Sequence, residues 1–425
     1  MKQAVDLLVT GISQLVPLAP PAGTPRGAPW RGPLDELEAI PAAALAVREG
    51  RIVDLGPEVE VEARVAAVAR EDAGGALVLP GFVDPHTHLP WIGSREGEFE
   101  RRLRGATYAE IAQAGGGIRA TTRAVRGASV DELVAAALPR LDRMLACGTT
   151  TAEAKSGYGL ELGAERRQLE AVQRLSQEHP IELLATNLAA HEVPDEHRAD
   201  RGRWLDLLCE ELLPELRPLS RFCDVFCEDH VFSVPESRRL LERARELGYG
   251  VKVHADELVP TGGAELAVEL GAVSADHLAC TGERGIEALA ASDTVAVLLP
   301  GTSFYLRKQA HAPARRMLEA GVAVALATDL NPGSCLTESV PMILTLACLQ
   351  LGMSPAEALR GATLNAACAL GLGAELGSLE LGKRADFVCW RAPSWRYLPT
   401  HFGVSLVERV FKGGRRVYSR AGRTA

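Results

Sequence analysis

The sequence predicts an α/β protein: a TIM-like (β/α)8 barrel with a composite β-sandwich domain formed from both chain termini. Three observations carry this prediction. Eight apolar, strand-like runs alternate with helical patterns through the middle of the chain, most of those runs end on a polar or charged residue, and both ends of the chain show short alternating segments separated by turns.

Residues 1–75 are expected to form the N-terminal part of the β-domain. They hold short alternating segments, a loop rich in Pro and Gly from Pro17 to Pro33, and the turn-flanked run Arg51-Ile52-Val53-Asp54-Leu55-Gly56. The Pro/Gly loop reads as a surface excursion. The barrel is expected over residues 76–375. Its first strand is the apolar stretch Ala76 to Val83, leading into Asp84-Pro85-His86-Thr87-His88, and later strands end near Lys155, His191, Glu228, His254, His277, Pro300 and Asp329. Between them, Ser129 to Cys147, Ala164 to Gln177, Glu236 to Leu247 and Thr261 to Leu270 have the length and apolar spacing of outer helices. Residues 376–425, with strand-like runs at Gly377 to Val388 and Val407 to Tyr418, are expected to complete the β-domain.

Bulk composition narrows the function. The chain has 425 residues, enough for a barrel of roughly 250 residues and an accessory domain. Lys and Arg number 46 against 55 Asp and Glu, a net charge of −9 with no basic tract, which disfavours nucleic acid and anionic membrane surfaces as partners. A small substrate is expected instead. No apolar run reaches the roughly 18 residues that span a bilayer, and the N-terminus lacks the pattern of a signal peptide, so a cytoplasmic location is expected. The nine cysteines are scattered; Cys223 and Cys227 have no matching second pair, so free buried thiols are expected rather than a zinc knuckle or a disulfide framework.

The strand ends carry the chemistry. In a strand, alternate side chains share a face, so His86 and His88 can reach one ion while Thr87 points away. With His254 and Asp329, from later strand ends, they make three imidazoles and one carboxylate, a set suited to zinc or iron rather than to magnesium or calcium. A divalent ion can bring the pKa of its water to about 7 and so supports hydrolysis at neutral pH. Asp329 can bind the ion, accept a proton, or do both. Glu257, three residues beyond His254, is a candidate proton shuttle, and His277 can hydrogen-bond the attacking water or polarise a carbonyl.

The whole constellation resembles the amidohydrolase superfamily, and its interior motifs resemble the imidazolonepropionase family. The resemblance rests on Pro80-Gly81-Phe82-Val83-Asp84-Pro85-His86-Thr87-His88, on the Arg95 to Tyr108 segment, and on Ala114-Gly115-Gly116-Gly117-Ile118. It also rests on Lys155-Ser156-Gly157-Tyr158-Gly159-Leu160, on His254-Ala255-Asp256-Glu257 and on Thr328 to Ser334. It covers nearly the whole chain, and the Gly-Gly-Gly-Ile and Lys-Ser-Gly-Tyr-Gly-Leu segments are its most particular parts.

The resemblance implies one zinc or iron ion per subunit on His86, His88, His254 and Asp329, and a homodimer. It implies a small anionic heterocyclic substrate, 4-imidazolone-5-propanoate, opened hydrolytically to N-formimidoyl-L-glutamate. Arg95, Tyr158, His191, Glu257, Asn331, Gly333 and Ser334 would contact that substrate, with Glu257, His277 and Asp329 as the proton-handling residues. Glu257 stands where some members carry Gln, which leaves open whether it moves protons or orients the substrate; Ser334 stands where Thr is more usual and keeps the hydroxyl. Lys155 lies near the second strand, and the fourth strand ends without the lysine that bridges two metals in other amidohydrolases, so one metal is expected. The alternatives are another amidohydrolase, such as a heterocycle deaminase, or a catalytically silent barrel that binds a ligand.

Overall fold

The computed structural model describes residues 2–106, 110 and 114–420; Thr107 and Tyr108 of the Arg95 to Tyr108 motif lie outside the described residues. Before the barrel come β1 (Gln3–Leu15), β2 (Ile40–Arg48), β3 (Arg51–Pro57), β4 (Val65–Asp72) and β5 (Leu77–Pro80). The barrel strands are β6 (Phe82–Asp84), β7 (Thr149–Lys155), β8 (Glu182–Ala190) and β9 (Phe222–Cys227), followed by β10 (Gly250–Ala255), β11 (Ser274–His277), β12 (Val295–Leu298) and β13 (Val324–Leu326). After it come β14 (Phe387–Trp390), β15 (Val407–Lys412) and β16 (Arg415–Ser419).

Both termini build one mixed sheet of eight strands in the order β16-β15-β14-β5-β1-β2-β3, with β4 beside β1. The two halves of the expected sandwich are therefore parts of a single sheet. Its edge strand β3 meets the segment leading into β14, where Ile52 N donates to Lys383 O at 2.9 Å and, in the turn before β3, Gly50 O accepts from Ala385 N at 2.9 Å. Val47 and Ile52 thereby share a core with Phe387 and Phe411.

The apolar stretch Ala76 to Val83, expected as one strand, is two. β5 pairs with β1 and β14, and β6 opens the barrel. The chain crosses between the sheets at Gly81, whose amide donates to Asp386 O at 3.0 Å. Continuous hydrophobicity cannot reveal such a break, because both strands are buried.

The barrel strands pair in parallel in sequence order, β6 through β13. Strand alternation sorts their residues. Val251, Val253 and Ala255 of β10 pack into the main apolar core with residues of the outer helices, which leaves Lys252 and His254 on the other face. One end of the interior is apolar: Phe222, Val295, Val297, Ala323 and Ala325 cluster with Ala366 to Leu376. The expected helices form at Val130–Ala146, Leu162–Glu178, Val234–Glu246 and Gly263–Glu269; the first and third begin with reciprocal capping boxes, Ser129 with Glu132 and Ser233 with Glu236.

The Pro/Gly-rich loop is a strap rather than a free excursion. Trp30 N donates to Asn365 Oδ1 at 2.8 Å, and the Arg360 guanidinium stacks 3.4 Å from the Trp30 ring centre. Arg31 donates to the carbonyls of Ala290, Ser292 and Gly321, and Leu34 N donates to Glu357 Oε1 at 3.0 Å. The segment turns twice, with Thr24 N donating to Pro21 O and Ala28 N to Pro25 O, and Trp30, Arg31 and Leu34 bind it to the barrel. Among the described residues, no helix is long and apolar enough to cross a membrane.

Candidate functional site

The site forms where the barrel closes. β6 and β13 are not paired as strands; instead Asp329 N donates to His86 O at 3.0 Å, His88 N donates to Leu330 O at 2.9 Å, and Thr87 bridges Leu330. Asp84 fixes the same seam, accepting from Thr328 N at 3.1 Å and Thr328 Oγ1 at 2.6 Å. Asp329 adopts φ +54° and His277 φ +75°, in the left-handed region where a non-glycine residue is held only by its surroundings.

Four sequence-predicted side chains converge there. Asp329 Oδ1 lies 3.6 Å from His86 Nε2 and 3.5 Å from His88 Nε2, and the His86 and His254 rings are 4.5 Å apart between centres. The Nε2 atoms of His86 and His254 are buried without a hydrogen-bond partner. Donor separations near 3.5 Å are those of a tetrahedron with ligand distances of about 2.1 Å, so these residues fit a divalent ion bound by nitrogen and oxygen. His277 joins the group: one ring nitrogen from each of His86, His254 and His277 falls within 4.8 Å of the others.

The second oxygen of Asp329 accepts from Thr302 Oγ1 at 2.5 Å. Burial opposes charge on this carboxyl, but the neighbouring His88 and His277 rings and the Thr302 bond outweigh it and hold the group below the usual carboxylate range.

Glu257 extends from the turn after β10 toward His277, with Oε2 3.6 Å from Nε2, and Lys308 Nζ donates to its Oε1 at 2.9 Å. Burial would raise the Glu257 carboxyl, but His277 and Lys308 overcome it and bring the group below its ordinary value. Burial lowers His277 itself, which favours its neutral form.

A second row lies beside the first. The His88 and His191 rings stack with centres 5.0 Å apart, and Tyr158 packs 5.4 Å from His191 and 5.8 Å from His88. Glu165 holds the loop that carries Tyr158, accepting from the amides of Gly157, Gly159 and Leu160, while Gln168 Oε1 accepts from those of Tyr158 and Gly159. Gly157 has φ +105°, and a Cβ there would meet Leu188 O at 2.7 Å. His191 Nδ1 makes a 3.0 Å hydrogen bond to Gly157 O, as donor to a carbonyl, which leaves Nε2 as the acceptor nitrogen. Burial raises the Tyr158 hydroxyl well above its ordinary value, so it stays a donor.

Arg95 is both an ion-pair partner and part of the site. Its Nε and Nη2 donate to Glu98 Oε2 at 2.9 and 2.7 Å, while Glu98 Oε1 accepts from Gly117 N at 2.8 Å. This ties the Gly-Gly-Gly-Ile segment to the guanidinium. Gly333 is a close-approach glycine: a Cβ there would fall 2.2 Å from Arg95 Nη1. Asn331 is hydrogen-bonded within its own turn. Its Oδ1 accepts from Gly333 N and Ser334 N, each at 2.8 Å, and its Nδ2 donates to Asp329 O and Ser334 Oγ, so the amide is committed to shaping the turn.

Beneath the imidazoles lies a buried charged cluster that sequence reading missed. Lys155 Nζ is 2.7 Å from both Glu153 Oε2 and Asp224 Oδ2, and Lys252 Nζ donates to Glu153 Oε1 and Pro85 O, each at 2.8 Å. Burial lowers the Lys155 ammonium, but Asp224, Glu153 and Asp276 together raise it far above its ordinary value, so it is charged. The signal was present in Val251-Lys252-Val253-His254, where a lysine between valines shares the face of His254. Thr302 and Lys308 gave no comparable signal, because each acts across a long sequence separation.

Comparison with known proteins agrees with this geometry. A model of the amidohydrolase family matches residues 77–417. Imidazolonepropionase of Symbiobacterium thermophilum is 52% identical over 418 residues, covering 97% of each chain. The Bacillus velezensis imidazolonepropionase is 46% identical over 426 residues, covering 99% of each. Among solved structures, a zinc-bound adenosine deaminase from Xanthomonas campestris matches with a TM-score of 0.72 at 21% identity, covering 98% of this chain and 93% of that one. A 5-methylcytosine deaminase from Klebsiella pneumoniae has the same TM-score at 18% identity, covering 97% and 98%. These two likenesses are of fold.

Proposed function

The chain belongs to the amidohydrolase family and, within it, to the imidazolonepropionases; from that membership we propose how its site opens the ring of 4-imidazolone-5-propanoate to give N-formimidoyl-L-glutamate. Water adds to the ring carbonyl carbon, the bond from that carbon to the ring nitrogen breaks, and the nitrogen takes up a proton.

His86, His88, His254 and Asp329 would hold the ion, zinc or iron by donor type. When bound, such an ion acidifies water and polarises a carbonyl. The chain's own residues handle the rest. Asp329, with Oδ2 tied to Thr302, presents Oδ1 to take the proton from the attacking water. Neutral His277 donates to the carbonyl oxygen as charge develops on it. Glu257, ionised beside Lys308, accepts the proton that Asp329 has taken from the water and passes it to the leaving nitrogen, returning to its carboxylate form. Arg95, Tyr158 and His191 bind the propionate or the ring, and Gly333 gives the guanidinium its space. Asn331 and Ser334 contribute by shaping the turn beside the ligand. The observation that carries this reading is the convergence of three buried imidazoles with Asp329 beside the Arg95, Tyr158 and His191 row.

The same reading makes the protein a homodimer that works in the cytoplasm in histidine degradation. Nine unpaired cysteines support a reducing compartment. The test follows loss of imidazolonepropionate absorbance with metal-loaded enzyme and assays ammonia in the same tube. Fast loss without ammonia is expected. Ammonia release would make the enzyme a deaminase.

A further inference from the structure

Two carboxylates behind the imidazoles have no part in the chemistry just described. Asp276 Oδ2 is hydrogen-bonded to His86 Nδ1 at 2.6 Å, and Asp224 Oδ2 lies 3.0 Å from His254 Nδ1 outside hydrogen-bonding geometry. Each therefore faces the ring nitrogen opposite the Nε2 that points into the site. All of these side chains are buried.

We propose that Asp276 is the positioning residue for His86: it holds the ring proton on Nδ1 and aims Nε2 at the ion, with Lys155 anchoring Asp276 and its counterpart Asp224 together. A carboxylate accepts and cannot donate, so a 2.6 Å contact to Nδ1 requires the proton to sit there and frees Nε2 as a ligand.

The carboxylate is itself immobilised. Ser274 Oγ donates to Asp276 Oδ1 at 2.6 Å, while Lys252 and Lys155 sit 3.6 and 3.7 Å from Oδ2. Lys155 also holds Asp224 at 2.7 Å, so one ammonium links the supports of two ligands on separate strands. Parallel register produces this arrangement. His254 of β10 is paired with Asp276 of β11, and Lys252 with Ser274. The ligand and the support of the other ligand are thus neighbours across one ladder.

This inference rests on the assignment of His86 as a ligand. The test measures zinc affinity of the folded protein by competition with a chromogenic chelator, with KM measured alongside. Asp276→Asn is expected to weaken zinc by about 10–100-fold while KM changes less than about twofold. Ser274→Ala, a gentler change, should weaken zinc by a smaller factor in the same direction. Folded Asp276→Asn with wild-type zinc affinity would overturn the proposal. Should that variant not fold, an unchanged affinity in Ser274→Ala overturns it instead. His86→Ala separates the two readings: zinc retained at wild-type affinity removes the ligand assignment, whereas zinc lost there but retained in Asp276→Asn removes only the positioning role.

Discussion

The backbone amide of Asp329 donates to the carbonyl of His86 at 3.0 Å, so two residues of the proposed metal site also stitch the first barrel strand to the last. Closure of the barrel and assembly of the site are the same event. The acceptor oxygen of Asp329 is then aimed by Thr302, from a different strand end.

Removing that aim is the first test. Losing a hydrogen bond to a charged group costs about 1.5–3 kcal/mol, so Thr302→Ala should lower kcat by roughly ten- to a hundredfold. Thr302→Ser should restore most of it. Steady-state kinetics of the two variants side by side gives the answer; an undiminished kcat in Thr302→Ala would show that Asp329 needs no such support.

Arg95 should govern substrate affinity rather than turnover. Truncating one partner of a buried charge pair costs about 2–5 kcal/mol, which places the rise in KM for Arg95→Met on the order of a hundredfold, with kcat falling much less. Gly333→Ala should produce a similar KM effect, because its Cβ would occupy the place of Nη1. An analogue without the propionate should bind wild type and Arg95→Met equally; unequal binding would mean that Arg95 reads the ring.

Glu257 carries protons only if its ionisation matters. Glu257→Gln should lower kcat by about 10²–10⁴-fold, whereas a merely orienting group would tolerate the amide. Because Lys308 helps to hold this carboxyl below its ordinary value of about 4.3, Lys308→Met should move the acid limb of the pH–kcat/KM profile upward. A limb that stays in place would assign it to another group.

The strap should be sensitive to acid. Glu357 is buried against Arg315 and accepts from the amides of Ser354 and Leu34. Burial opposes its charge, but these partners outweigh it and hold it below the ordinary value. The depressed value means that the unfolded chain takes up the proton first as pH falls. The stabilisation is therefore present above pH about 4.3 and is lost as pH drops through the lower, folded value. Glu357→Gln should lose stability at neutral pH, and its difference from wild type should shrink in acid, as read by chemical denaturation at pH 7 and pH 3.5.

Much of this was legible in local patterns. His86 and His88 announced themselves by period-two spacing after an apolar run, and His254, His277 and Asp329 by standing at or just beyond the ends of other runs. Strand alternation and the ends of parallel strands are local properties, so a one-dimensional reading can reach them. The split of Ala76 to Val83 was not legible, because two buried strands in different sheets share one hydrophobic signature. Nor was the commitment of the Asn331 amide to its own turn.

By itself the sequence determined the barrel, its outer helices, the split β-domain and the residues that meet at the strand ends, since periodicity and residue chemistry are written in neighbouring positions. Only the tertiary structure decided who holds whom. Thr302 on Asp329, Asp276 on His86 and Lys308 on Glu257 depend on strand register and loop approach, and those arise from the packing of segments far apart in the chain.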